Sequence, residues 1–484
     1  MSRGDSRVDM TEGAIGPRLA RLAWPLVAGN LLQTAYNLAD MFWVGRVGSN
    51  AVAAVSLMFP TAWLFVSTAM GITAAAVALV SQNIGAGRER RAERVVGQTV
   101  ILAVAGGLFL AVLGFSIRFP LIDLLGARGP VFWKALAYAE VMFVTIPFTF
   151  LFFAFRAVLR GAGDTRTAMW LVLVSAGLNV LIDPFLILGW AGFPALGVQG
   201  AAIATLISRV IAAGVGVAIL LHGGWGIKLR VPDLWPDVGL LQKLVDVGYP
   251  STLDGLARSL AAVTMVGLVA RFGAVPTAAY GIVLRYQSIS WTVSGAVGQA
   301  TATGVGQNLG AGALDRSRRV TRTGALGTMA VLAVASVVVF LFPEAAMGIF
   351  IDDPAVIAEG TTMFTIVAPF WAFFGGLMVV QGSFRGAGQT RVAFLLSMLS
   401  RWVVRIPLAV ALAFVIGVGS IGLYWAMAVS AFVSFLVGAG WFLVRGWSEA
   451  VIETEADGDD EEAAGSEAEV EPATDVGSFD SEVD

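Results

Sequence analysis

Cysteine is missing from this chain altogether, and His222 is its single histidine. Without thiols there is no disulfide framework, no thiolate nucleophile and no thiolate metal site. One imidazole cannot build a zinc centre. His222 also stands where a helical run meets Gly223-Gly224-Trp225-Gly226, a place at the membrane interface rather than on a proton path. Charge is scarce as well. Only 13% of residues are charged and 57% are hydrophobic, where a soluble domain carries about a quarter charged residues. Water cannot accommodate that much apolar surface, but lipid can.

What is present is a succession of apolar runs, each near the roughly 20 residues that cross a bilayer. Backbone groups must be satisfied within hydrocarbon, and the alternation of a membrane barrel is absent, so these runs are read as helices. The expected spans are 19–44, 51–80, 95–118, 135–159, 167–189 and 200–222, then 246–270, 278–306, 320–342, 359–384, 392–416 and 421–445. The fold class is therefore an all-α integral membrane protein of twelve transmembrane helices. A polar segment (1–18) leads into an N-lobe (19–222), a linker with Pro232 and Pro236 (223–245), a C-lobe (246–445) and a tail (446–484). The first span is too long for a cleaved signal peptide. The segment from Glu449 to Asp484 holds 15 acidic residues and no Lys or Arg. It has almost no large apolar side chains and is expected to be disordered and dispensable for transport. With the N-terminus inside, Lys and Arg gather on the cytoplasmic side, around Arg88–Arg94 and Arg316–Arg322, so both termini are expected in the cytoplasm of a multi-pass cell-membrane protein.

The chain also repeats itself. Gln82-Asn83-Ile84-Gly85-Ala86-Gly87 returns as Gln307-Asn308-Leu309-Gly310-Ala311-Gly312, 225 residues on. Arg160-Gly161-Ala162-Gly163-Asp164-Thr165-Arg166 returns as Arg385-Gly386-Ala387-Gly388-Gln389-Thr390-Arg391 at the same offset. Six spans per repeat is an even number, so both halves enter the membrane from one side. The two lobes are then related by a pseudo-twofold axis along the membrane normal. Glycine supplies a positive φ for a tight helix exit, and the arginines that follow are expected to anchor the turns at anionic headgroups. A nucleotide loop needs a Gly-x-x-x-x-Gly-Lys spacing that neither turn has.

Polar residues within spans carry the functional signal, since each costs roughly 2.5–3.5 kcal/mol to insert. In the first span Asn30, Gln33, Asn37 and Asp40 share one helix face, with Tyr36 beside them. In the fifth, Asn179 and Asp183 share a face, and Pro184 leaves the Val180 carbonyl without its helical donor. Both helices are expected to bend, at Pro25 and at Pro184. Two carboxylates with amides and a free carbonyl make a hard-oxygen site for Na⁺ or H⁺, with Asp40, Asn179 and Asp183 as possible Na⁺ ligands. The competing reading is that Asp40 and Asp183 merely cap helix ends. Arg209 is the one permanent positive charge recognised within the first-half spans, placed toward the cytoplasmic end of the sixth. In the second half Asp254 and Arg258, four apart, are read as a salt bridge. Arg285, Arg401 and Arg405 either pair and snorkel within the lobe or bind anionic substrate groups.

At this point the chain resembles the multidrug and toxic compound extrusion (MATE) transporters, most closely the DinF-like prokaryotic and archaeal branch. The resemblance spans about residues 15–445 and rests on Tyr36-Asn37-Leu38-Ala39-Asp40 and the paired Gly-Ala-Gly turns within the six-plus-six repeat. It implies alternating access, with drugs or other amphipathic or cationic compounds exported in exchange for Na⁺ or H⁺. It further implies that Asp40 and Asp183 couple the ion, with Pro25, Gln33, Tyr36 and Asn179 around them and Thr205 contributed by the sixth span. The second-half arginines and the acidic tail depart from the family pattern. Small organic substrates and membrane lipids are the expected partners, with no nucleic acid, no cofactor beyond the coupling ion, and a monomeric chain. A flippase of lipid-linked or polysaccharide precursors is the alternative, and it would need a strongly basic central cavity. An enzyme would need a nucleophile with a base, or metal ligands, which the composition withholds.

Overall fold

The helices of this protein end on small residues and restart one short turn later. In the computed structural model, which describes residues 7–223 and 227–444, all regular structure among those residues is helical. The N-lobe holds α1 (Ile15–Gly45), α2 (Ser49–Gly85), α3 (Glu89–Ser116), α4 (Gly129–Gly161), α5 (Thr165–Leu188) and α6 (Val198–His222). The C-lobe holds α7 (Val238–Ala270), α8 (Ala274–Gly310), α9 (Leu314–Leu341), α10 (Pro354–Gly386), α11 (Thr390–Val415) and α12 (Ser420–Val444). The acidic tail lies outside the described residues.

Ten of these helices are long and apolar enough to cross a membrane; α1 and α8 fall short. Both are diluted by polar side chains, Asn30 to Asp40 in α1 and Arg285 to Gln299 in α8, and both lie along the seam, where α1 packs on α8 and α2 on α7 and α8. A helix that faces the other lobe rather than lipid can carry such groups.

The sequence repeat is a structural repeat. Helices α2, α3 and α4 and their counterparts α8, α9 and α10 begin and end 225 residues apart. In each of the four Gly-Ala-Gly turns the second glycine has a positive φ, +71° at Gly87, +87° at Gly163, +69° at Gly312 and +78° at Gly388. The first glycine has a different task. A Cβ on Gly85 would stand 1.9 Å from the Gln307 carbonyl oxygen, and one on Gly310 would stand 1.9 Å from that of Gln82. Each lobe thus presents the same backbone patch to the other, as a twofold axis between α2 and α8 requires.

Hydrogen bonds across the seam run from mid-membrane to the face that carries the Gly-Ala-Gly turns. They extend from Thr252 Oγ1 donating to Thr68 O (3.3 Å), through Gln82 Nε2 to Gly386 O (3.0 Å), to the N-terminal segment. That segment, polar in sequence, is tied into the seam. Met10 is fully buried, its N–H donates to Gln307 Oε1 (2.9 Å), and its carbonyl accepts from Arg316 Nε (2.8 Å). On the other side the Val8 N–H donates to Gly163 O (3.1 Å), so one short strap holds a turn of each lobe.

One expectation is corrected on this face. α7 begins at Val238, inside the stretch read as linker, because Asp237 caps it by accepting from the Leu240 N–H (3.1 Å). Two of the arginines after the first turn are held by the linker. Arg90 pairs with Asp233 (2.5 Å) and Arg94 with Asp237 (2.8 Å), which fastens the linker to α3, because the fold already supplies fixed carboxylates there. His222 is exposed at the end of α6.

Candidate functional site in the N-lobe

The first and fifth spans, α1 and α5, pack side by side, which brings their polar faces together. Asp183 is fully buried on α5, and Asn179 one turn earlier is 2% exposed. Orienting the Asn179 amide nitrogen toward Asp183 Oδ2 (3.1 Å) lets its oxygen accept from Thr205 Oγ1 (3.3 Å) and the Thr205 N–H (3.1 Å) of α6. The Tyr36 hydroxyl of α1 stands 3.5 Å from the same Thr205 oxygen. Asp40, one turn beyond Tyr36, acts electrostatically on Asp183, Tyr36 and Tyr138. One oxygen of Asp40 and one of Asp183 are buried without a hydrogen-bond partner.

These are not helix caps. α1 runs on to Gly45 and α5 to Leu188, where Gly189 (φ +77°) ends it. Both helices pass unbroken through their buried prolines, Pro25 and Pro184. Gln33 lines the same small cavity as Tyr36, Asn179 and Thr205, and donates to Asn37 Oδ1 (3.4 Å). Asn37 itself is exposed. Asn30 is half-buried a turn away, its carbonyl accepting from Thr34 Oγ1 (3.1 Å). Among the described residues no three His, Cys, Asp or Glu converge to hold a metal ion. The oxygen donors at hand are two carboxylates, an amide and hydroxyls, a weakly charged set suited to a monovalent cation or a proton.

Three neighbours differ from the expectation. Arg209 is not near a helix end; α6 starts at Val198, so Arg209 sits mid-helix and lines the cavity wall. Its guanidinium lies over the Phe152 ring at 4.1 Å, and one of its nitrogens is buried without a partner. Arg156 of α4 is a second permanent charge within the first-half spans, over the same ring at 5.4 Å. Tyr138 of α4 joins the carboxylate pair electrostatically, and no spacing in the sequence points to it.

The C-lobe holds the expected Asp254–Arg258 ion pair (2.6 Å), joined by Arg385 from α10 (3.0 Å). Asp254 is 2% exposed, so Asp254→Asn leaves two guanidinium groups facing a neutral amide. A destabilisation on the order of 3 kcal/mol is expected from an unpaired buried charge. Thermal unfolding in detergent reads it, and an unchanged midpoint would remove Asp254 from the structural account. Arg285, in contrast, is exposed on α8.

Comparison with known proteins matches this architecture repeat for repeat. The MatE family model matches twice, over residues 25–185 and 250–411. The chain belongs to the MatE family. It is 31% identical over 389 residues to the probable multidrug resistance protein YoeA of Bacillus subtilis, covering 80% of this chain and 84% of that one. It is 28% identical to the probable multidrug resistance protein NorM of Thermotoga maritima, covering 82% and 85%. Crystal structures of MATE in the straight and bent conformations share the fold with TM-scores of 0.84 at 22% identity, covering 91% and 92% of this chain and 98% of theirs. This MatE protein is thus a membrane transporter rather than an enzyme, and the flippase alternative is not favoured by its relatives.

Proposed function

We propose that this chain is an antiporter that exports drugs or other small organic compounds by alternating access, in exchange for Na⁺ or H⁺ taken up by Asp40 and Asp183. The observation that carries this reading is two carboxylates, Asp183 fully buried and Asp40 half-buried, each with one buried oxygen that has no partner, while Asn179 links Asp183 to Thr205 and Thr205 meets Tyr36 across three helices. Two such groups cannot both stay ionised in a poorly solvated lobe without a cation. Uptake of one positive charge removes their repulsion and changes which packing of α1 against α5 and α6 is favoured. Pro25 and Pro184 mark where those helices lack a backbone hydrogen bond and yield most easily. A ligand shifts such an equilibrium only by its differential affinity for the two states, and we place the substrate beside the ion, against the cavity wall of Gln33, Tyr36 and Asn179. The coupling is therefore local. Collapsing the Na⁺ and proton gradients separately in proteoliposomes identifies the ion; export that survives loss of both refutes antiport.

The same reading places the strapped face, with both termini, in the cytoplasm, because Arg88–Arg94 and Arg316–Arg322 lie there. Cysteines placed one at a time at Arg88, Asp164 and Asp315 are expected to label only from the cytoplasmic side, and those at Ser49, Arg128 and Pro354 only from outside. Opposite accessibility of corresponding sites in the two lobes contradicts the parallel repeat.

A further inference from the structure

Three arginines from three helices of the C-lobe gather around one carboxylate. Asp254 of α7 accepts from Arg258 and from Arg385 through the same oxygen, Oδ2. Arg401 of α11 donates to Ser397 Oγ and lies within electrostatic reach of Arg258, Asp254, Arg385 and Arg405. A single carboxylate leaves this group with an excess of two positive charges inside a membrane domain. Arg258 Nε is buried without an acceptor. The side chains of Arg258 and Arg385 nevertheless keep 17% and 22% of their exposure, so the excess charge is reachable rather than sealed in. The Arg258 guanidinium lies over the ring of Trp291 at 5.6 Å, which fixes its plane.

The repeat says what this place is. At the offset of 225, Arg258 stands where Gln33 stands in the N-lobe, and Arg401 stands where Ala176 stands. Gln33 and Ala176 both line the N-lobe cavity. The carboxylates of that lobe, Asp40 and Asp183, have Met265 and Leu408 as counterparts. The C-lobe therefore places arginines at positions that line the N-lobe cavity and lacks counterparts of the two N-lobe carboxylates. The backbone differs at the same point: α5 is a regular helix, whereas α11 is π-helical from Leu399 to Arg405, the stretch that presents Arg401 and Arg405. Such local widening recurs at functional sites.

We propose that the Arg258–Arg385–Arg401 cluster is an anion-binding site that takes a phosphate or carboxylate group. Guanidinium forks match both groups in bidentate geometry, and the bound anion supplies the negative charge that Asp254 alone does not. The group belongs either to a transported solute or to the headgroup of an anionic lipid. The site goes beyond the coupling pair of the N-lobe, and its binding is read without any gradient, so either proposal can fail alone.

The full chain in neutral detergent is titrated with AMP, a soluble phosphomonoester, and separately with short-chain phosphatidylglycerol. Adenosine and short-chain phosphatidylcholine are the uncharged and zwitterionic controls. Wild-type protein is expected to bind at least one anionic probe and neither control. Arg258→Gln and Arg401→Gln are expected to weaken that binding at least tenfold, Arg401→Lys by less, and Gly45→Ala, where an added Cβ meets nothing within 4 Å, not at all. Binding of AMP marks a solute site, and binding of phosphatidylglycerol alone marks a lipid site. Should a glutamine variant not fold, Arg401→Lys and the paired controls on wild-type protein still decide. Binding of neither anion, equal binding of the controls, or unchanged affinity in the arginine variants overturns the proposal.

Discussion

Asp40→Asn and Asp183→Asn are each expected to stop gradient-driven export while insertion and folding survive. The substitution keeps the size of the side chain, and at position 183 it leaves an amide able to bond Asn179. It removes only the charge that a cation would neutralise. Coupling free energies between sites are typically about 1–3 kcal/mol, so losing them removes about a 5- to 150-fold bias between states. Binding of substrate without a gradient should change far less than transport, because the cavity wall of Gln33, Tyr36 and Asn179 is intact. Export at the wild-type rate in both variants, with expression matched, would exclude the pair from coupling.

The second large effect is expected at the seam. Gly85→Val and Gly310→Val each drive a side chain into a backbone carbonyl of the opposite lobe, which has no rotamer with which to yield. Overpacking costs about 1–3 kcal/mol even where side chains can move, so here the lobes must separate. Because the contact is reciprocal, the two variants should behave alike: wider interlobe distances at the strapped face, measured between spin labels at Arg88 and Asp315, and export reduced at least tenfold. Gly45→Ala, where an added Cβ meets nothing within 4 Å, is the control. Wild-type distances in Gly85→Val would show that the α2–α8 crossing does not set closure.

The span pattern, the repeat and the polar faces of α1 and α5 were legible in the sequence because each rests on local periodicity or on near-identical words. Asn179 and Asp183 announce themselves by spacing alone. What was not legible depends on partners far away in the chain. The first glycine of each turn reads as turn chemistry, and only the folded seam places Gly85 against Gln307. Met10 sits in a polar segment yet is buried, because its partners Gln307 and Arg316 are roughly 300 residues distant. Arg385 is hidden inside a turn motif and turns out to grip Asp254. Arg156 is lost in an apolar run, since one charge among Phe and Val barely disturbs it. The depth of Arg209 is not legible for a simpler reason: helix ends carry little signal of their own.

The claim at the centre is that Asp40 and Asp183 hold the ion that substrate displaces. Linkage makes that displacement visible without a membrane: a substrate that opposes the ion must release it on binding. Purified protein in detergent is mixed with an exported compound while released Na⁺ and protons are counted per molecule. The account predicts release from wild-type protein, and substrate binding without release from the Asp40→Asn, Asp183→Asn double variant. Equal release from both proteins would contradict it.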